Sequence, residues 1–163
     1  EACVQFYGDD NDGYGNYITL PKTSALDFGN SAFTMTFWAK LGDDADEEYM
    51  ISNMNSSDSA WPGFRFGLKH GDLNNQINDN SGGGVENRYN TNIATGTWKH
   101  IAIVASGSGG DMVCYVDGSI PVAGQSLGTY ASLNNDKTIK IGGAYTGDTQ
   151  SFNGSLADIR FYK

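Results

Sequence analysis

Apolar and polar residues alternate along much of the chain. In FTMTFWAKL (33–41), Phe33, Met35, Phe37, Ala39 and Leu41 fall on one face, and Thr34, Thr36, Trp38 and Lys40 on the other. In GFRFGL (63–68), Phe64, Phe66 and Leu68 oppose Arg65. Successive side chains of an extended backbone point to opposite faces, so a period of two predicts strands with one buried face. WKHIAIVA (98–105), MVCYV (112–116), TIKIGG (138–143) and SLADIRFY (155–162) read as further strands, with shorter ones at VQF (4–6), NYITL (16–20) and MIS (50–52). Turn-forming text separates them: GDDNDGYG (8–15), SGGG (81–84), SGSGGD (106–111), DGS (117–119), NND (134–136) and YTGDTQ (145–150). Helical periodicity is absent, and DDADEEYM (43–50), the one candidate for a helical turn, reads better as a solvated acidic loop. Short strands punctuated in this way predict an all-β sandwich or barrel. Neither an internal repeat nor a linker divides the chain, so residues 1–163 are expected to form a single domain.

Composition narrows the function classes. A chain of 163 residues can bury a substantial core without cross-links. Its 22 Gly and 3 Pro suit many turns between short strands. The net charge of −9 argues against nucleic acid or an anionic membrane as partner, since both call for a basic surface. No apolar run approaches the roughly 20 residues that span a bilayer. The chain opens EACVQF, with neither a basic leader nor an apolar segment, and reads as a mature or excised domain. Cys3 and Cys114 leave open one disulfide or two buried thiols. His70 and His100 are too few for a metal cluster or a proton relay. Asn55-Ser56-Ser57 and Asn153-Gly154-Ser155 are formal glycosylation acceptors, of weight only in a eukaryotic secretory pathway.

FTMTFWAK (33–40), ISNMNSSDSAWPGFRFGL (51–68), WKHIA (98–102), CYVDGS (114–119), IKIGG (139–143) and FNGSLADIRFYK (152–163) occur in an order and spacing that resemble the bacterial laminin-G-like domains of the concanavalin A-like lectin/glucanase superfamily. The resemblance runs from about Phe6 to Tyr162. It implies a two-sheet antiparallel jelly roll with one concave sheet, in an extracellular or cell-surface setting. Within it, Trp98 and His100 are expected to order the start of a long strand. Asp117-Gly118 forms a hairpin turn, because Asp-Gly tolerates positive φ. Asp158 and Arg160 share one face of the last strand and can pair.

Glucanases share this superfamily, and they resemble one another in a strand carrying Glu-x-Asp-x-x-Glu. Retaining chemistry needs two carboxyl groups about 5–5.5 Å apart. The only Glu residues are Glu1, Glu47, Glu48 and Glu86, none of them in that motif. No G-x-S-x-G elbow is present, and the Gly-rich stretches join strands rather than preceding helices. Calcium is a better candidate, since Asp9, Asp10, Asn11, Asp12 and Asn16 crowd one loop with the hard oxygen ligands that Ca²⁺ takes. The competing reading is a solvated acidic turn. Many members that the chain resembles add an Asp from an Asp-Asp-Val-Arg-Ile-Tyr last strand, and here that position is Ala157.

Trp61 stands in SDSAWPGF among Ser, Asp and Gly. It is either a platform for a sugar ring or a plug over one end of the core. A sugar site needs an aromatic face surrounded by planar hydrogen-bonding groups. Asn78, Asp79, Asn80, Arg88 and Tyr89 supply them from a long polar hairpin or loop region (69–90), Arg65 from the polar side of the 63–68 strand, and Tyr145, Asp148 and Gln150 from a later loop. The expected function is a non-catalytic carbohydrate-binding module. The alternative is a protein-interaction or spacer domain of a surface assembly, and a hydrolase would need a carboxylate pair that the motifs do not supply.

Overall fold

The computed structural model describes residues 2–8, 15–41, 47–54, 60–81, 83–120, 123–143 and 150–163, with Arg88 and Asn90 described in backbone only. Among these residues there are twelve strands and a single short 3-10 turn, Ser24–Leu26. The strands are β1 (Val4–Phe6), β2 (Ile18–Leu20), β3 (Phe33–Leu41), β4 (Glu47–Ser52), β5 (Gly63–Lys69), β6 (Asp72–Asn78), β7 (Gly84–Asn92), β8 (Trp98–Ala105), β9 (Asp111–Val116), β10 (Gln125–Ser126), β11 (Ile139–Ile141) and β12 (Gly154–Tyr162). They form two six-stranded antiparallel sheets, ordered β1-β12-β3-β8-β9-β10 and β2-β11-β4-β5-β6-β7. No helix among the described residues is long and apolar enough to cross a membrane. This is the all-β sandwich anticipated from the alternation, in the jelly-roll form that the resemblance implied.

The inward faces meet as predicted. Met35, Phe37, Ile101, Ile103 and Met112 of the first sheet and Phe64, Phe66, Leu68, Leu73 and Ile77 of the second are buried in one cluster. Phe33 of β3 packs 6.2 Å from Phe66 of β5 and stacks at 4.5 Å on Phe28, joining the sheets through aromatic contacts. Core packing dictates one backbone position sharply. Gly142 has φ +88, and a Cβ there would enter the ring of Phe6. Gly142→Ala is expected to destabilise the chain by about 1–3 kcal/mol through strain and overpacking, measured by urea unfolding.

One strand departs from expectation at its start, and the polar region at 69–90 takes the hairpin form of the two left open. Glu47 and Glu48, read as part of an acidic loop, begin β4, which starts well before the predicted 50–52. A bulge between Tyr49 and Ile51 lets consecutive Met50 and Ile51 both face the core. Residues 72–78 and 84–92 form β6 and β7, a hairpin whose few apolar residues masked its period. The Asp117-Gly118 turn is confirmed: φ is +51 and +77, and Val116 and Ser119 exchange both backbone hydrogen bonds at 2.8 and 3.0 Å. The cysteines do not pair, since Cys114 is buried while Cys3 is exposed. Burial pushes the Cys114 thiol up to about 12, so it stays protonated.

Candidate functional site

The outer face of the second sheet is polar and closely linked. Alternation along β5 buries Phe64, Phe66 and Leu68, and therefore turns Arg65 outward. Along β6 the same rule turns Asn74, Gln76 and Asn78 outward. Antiparallel register then places Arg65 opposite Ser52 of β4 and Gln76 of β6, with Gln76 opposite Glu86 of β7.

Arg65 is the hub of this face. Its guanidinium lies 3.2 Å from Glu47 and 3.9 Å from Glu86, contacts the Tyr49 hydroxyl, and sits 4.7 Å from the centre of the Tyr49 ring. The Tyr49 hydroxyl donates to Glu47 at 2.9 Å, the Gln150 amide donates to the other Glu47 oxygen at 3.1 Å, and the Asn74 amide donates to Glu86 at 2.9 Å. Three buried polar atoms of the same face, Arg65 Nε, Asn74 Oδ1 and Gln76 Oε1, have no hydrogen-bond partner among the described residues. Unpaired buried polar atoms are rare and call for an explanation. A hydroxyl-rich ligand or bridging water would satisfy them.

Two carboxylates thus share one face, an arrangement that strand motifs alone did not reveal. Glu47 comes from β4 and Glu86 from β7, with two strands between them. Both are engaged by one guanidinium, which occupies the space between them. A glycosidase needs that space for the scissile bond, and one of its carboxyl groups must be free to deliver a proton. The arrangement is suited to recognition.

Trp61 sits where this face meets the loop entering β5. The residue is 42% exposed. Its φ of +51 is an outlier for a bulky residue. The surrounding backbone is braced by asparagines. Asn135 donates to the Asn53 carbonyl at 2.9 Å and the Pro62 carbonyl at 2.8 Å, and Asn53 Oδ1 accepts from Phe64 N–H at 2.9 Å. Asn78 donates to the Ala60 carbonyl at 3.5 Å and accepts from Gln76 at 3.4 Å, so one polar row connects the Trp61 loop with the Arg65 cluster.

The other anticipated contacts fall differently. Tyr89 is fully buried in the core and its hydroxyl donates to the Met112 carbonyl at 3.1 Å, because the β6–β7 register turns it inward opposite Leu73. The Arg88 backbone pairs with Asn74 in the β6–β7 register. Asn80 is exposed in the turn that follows β6. Tyr145, Asp148, Asp9, Asp10 and Asp12 lie outside the described residues. Among the described residues no three His, Cys, Asp or Glu side chains converge as metal ligands. Asp158, beside the Ala157 position, is held by Arg160 at 2.8 Å.

Asp79 is a structural clamp. It is buried and accepts from Ala131 N–H at 2.7 Å and from Ser81 N–H, Ser81 Oγ and Gly83 N–H at 2.8 Å each. These donors, that of Ala131 foremost, outweigh its desolvation and lower its pKa from 3.8 to about 2. A depressed folded-state value means that this stabilisation is complete above the unfolded value and is lost as pH falls from about 4 through about 2. Asp79→Asn is therefore expected to cost about 1–3 kcal/mol at neutral pH. The gap from the unsubstituted chain should narrow near pH 2, as read by urea unfolding at both values.

A family profile of laminin-G type, described as the concanavalin A-like lectin/glucanases superfamily, matches residues 12–163. No curated protein sequence matches the chain. The solved binding domain of Paraclostridial Mosquitocidal Protein 1 is similar in fold with a TM-score of 0.73 at 20% identity, over 96% of this chain and 39% of that one. Mouse laminin alpha1 chain domains LG4-5 are similar with a TM-score of 0.70 at 14% identity, over 98% and 41%. The binding domain of botulinum neurotoxin DC, solved in complex with rat synaptotagmin II, gives 0.67 at 14% identity over 98% and 39%. The same domain in complex with SialylT gives 0.64 at 14% identity over 97% and 38%. The chain thus spans about two fifths of the length of these solved chains. With its register, its strand order and the profile match over residues 12–163 in agreement, the chain belongs to the concanavalin A-like lectin/glucanases superfamily, in its laminin-G-like branch.

Proposed function

We propose that the chain is a non-catalytic carbohydrate-binding module of an extracellular or cell-surface protein. The observation that carries this reading is Trp61, an exposed indole in a left-handed backbone conformation beside a face of fixed hydrogen-bonding groups. An exposed aromatic offers its face to the C–H side of a pyranose, and neighbouring amides and charged groups select the hydroxyl pattern. Asn78, Gln76 and Arg65 are the nearest groups along the polar row. Arg88, paired with Asn74 in the β6–β7 register, is a further candidate. Tyr145 is a further candidate from its loop. Affinity for one glycan face is expected to be weak and to gain from multivalent display.

The botulinum neurotoxin DC binding domain has been solved with a glycan and with a protein, and both partner classes are compatible with this fold. Asp9, Asp10 and Asp12 are proposed as ligands of a structural calcium ion, to which their carboxylates are chemically suited. A glycan array probed with the chain in calcium and again in chelator tests these readings together. Binding to one glycan class is the expected result. Loss of that binding in chelator would implicate the Asp9–Asp12 loop. Silence from a folded chain would overturn the carbohydrate reading in favour of a protein partner.

A further inference from the structure

The opposite face of the sandwich carries a second aromatic site. On the outer face of the first sheet, Trp38 of β3 stands between Ala157 of β12 and His100 of β8. Trp98 stands opposite Lys40, diagonal to Trp38. Trp38, Trp98, Ala157 and Cys3 line a pocket of about 300 Å³. The indoles remain 37% and 38% exposed.

The origin of the hollow is local. Ala157 puts only a methyl group beside Trp38. The register of β12 breaks just after Ala157, and Asp158, at φ +51, gives its carboxylate to Arg160 rather than to the pocket. His100 packs edge-on against Trp38, at 5.2 Å and 65°, and fixes that wall from the other side.

We propose that this pocket is a second saccharide site, taking one pyranose ring against the Trp38 and Trp98 indoles. Its volume lies at the small end of ligand pockets, about the scale of one ring and far below that of a helix or a folded partner. Its walls are apolar and aromatic, and donors from exposed Lys40 and half-buried His100 stand on the same face at its rim. An occupant with an apolar ring face and polar edges satisfies both. Together with the Trp61 face, it would let one chain bridge two glycan strands from opposite sides of the sandwich. The two sites stand or fall separately.

Cys3 supplies the assay. It lines the pocket and is exposed, whereas Cys114 is buried, so a small aromatic disulfide reagent reports Cys3 alone in the folded chain. Methyl glucoside, methyl galactoside and methyl N-acetylglucosaminide are titrated against the rate of Cys3 modification. At least one is expected to slow it and to shift tryptophan emission at the same concentrations. Ala157→Leu fills the hollow from the outer face, and should weaken that protection about tenfold or more. Trp61→Ala should leave it intact. The proposal is overturned if none of the three glycosides protects Cys3, a measurement that needs no variant, or if folded Ala157→Leu retains full protection. Loss of protection in Trp61→Ala would also overturn it, by tracing the effect to the other face.

Discussion

Trp61→Ala is expected to abolish glycan binding while moving the melting temperature by no more than about 2 °C. The indole is exposed, so its removal opens no core cavity, and the loop is held by Asn53, Asn78 and Asn135 rather than by the ring. Trp61→Gly sharpens the test. A bulky residue at φ +51 carries backbone strain that glycine relieves, so this variant should gain up to about 1 kcal/mol in stability and still lose binding. A side chain that costs stability where it stands, and contributes little to the core, is best explained by what it touches outside. Unfolding of either variant, or retained binding by both, would remove Trp61 from the site.

Arg65→Met should be the most destabilising change on the polar face, at about 3 kcal/mol. Breaking a buried pair by removing one partner leaves the other charge uncompensated, which typically costs more than the intact pair contributes. Here the arginine side chain is 11% exposed and that of Glu47 20%, so both are largely shielded. Glu86 at 42% is better hydrated and adds less. For a chain of this size the loss corresponds to a fall of roughly 6–12 °C in melting temperature. Adding Glu47→Gln to Arg65→Met should recover part of it, because the stranded carboxylate is then gone. A double-mutant cycle with no coupling between Arg65 and Glu47 would show that the hub is held by packing on Tyr49 alone.

The polar hub also explains why the enzyme question could be framed from sequence but not closed. Catalytic carboxylates on one strand would leave a pattern such as Glu-x-Asp-x-x-Glu in the text, and that pattern is absent. Carboxylates that converge from β4 and β7 leave no such trace. Glu47 was further obscured by its acidic neighbours, and the Tyr49–Ile51 bulge breaks the parity that would have carried its outward direction back from Ile51. The Gln76 and Asn74 positions were obscured for the opposite reason. Their strand presents Asn75 to the interior, so its inward face does not look apolar.

What the sequence determined by itself was local: alternating faces, turn positions and the class of fold they build. Phe33 to Leu41 and Trp98 to Ala105 are strands with the faces their periods predict, and Asp117-Gly118 turns as its chemistry requires. Those properties follow from backbone geometry over a few residues. The tertiary structure decided which strands are neighbours, and with that which side chains meet. It exposed Trp61, drew Tyr89 into the core, made Asp79 a clamp, gathered Glu47 and Glu86 around Arg65, and opened a pocket between Trp38 and Trp98. A period of two tells which way a side chain points from its own strand. Only the packing of both sheets, with their bulges and non-local register, tells what stands opposite.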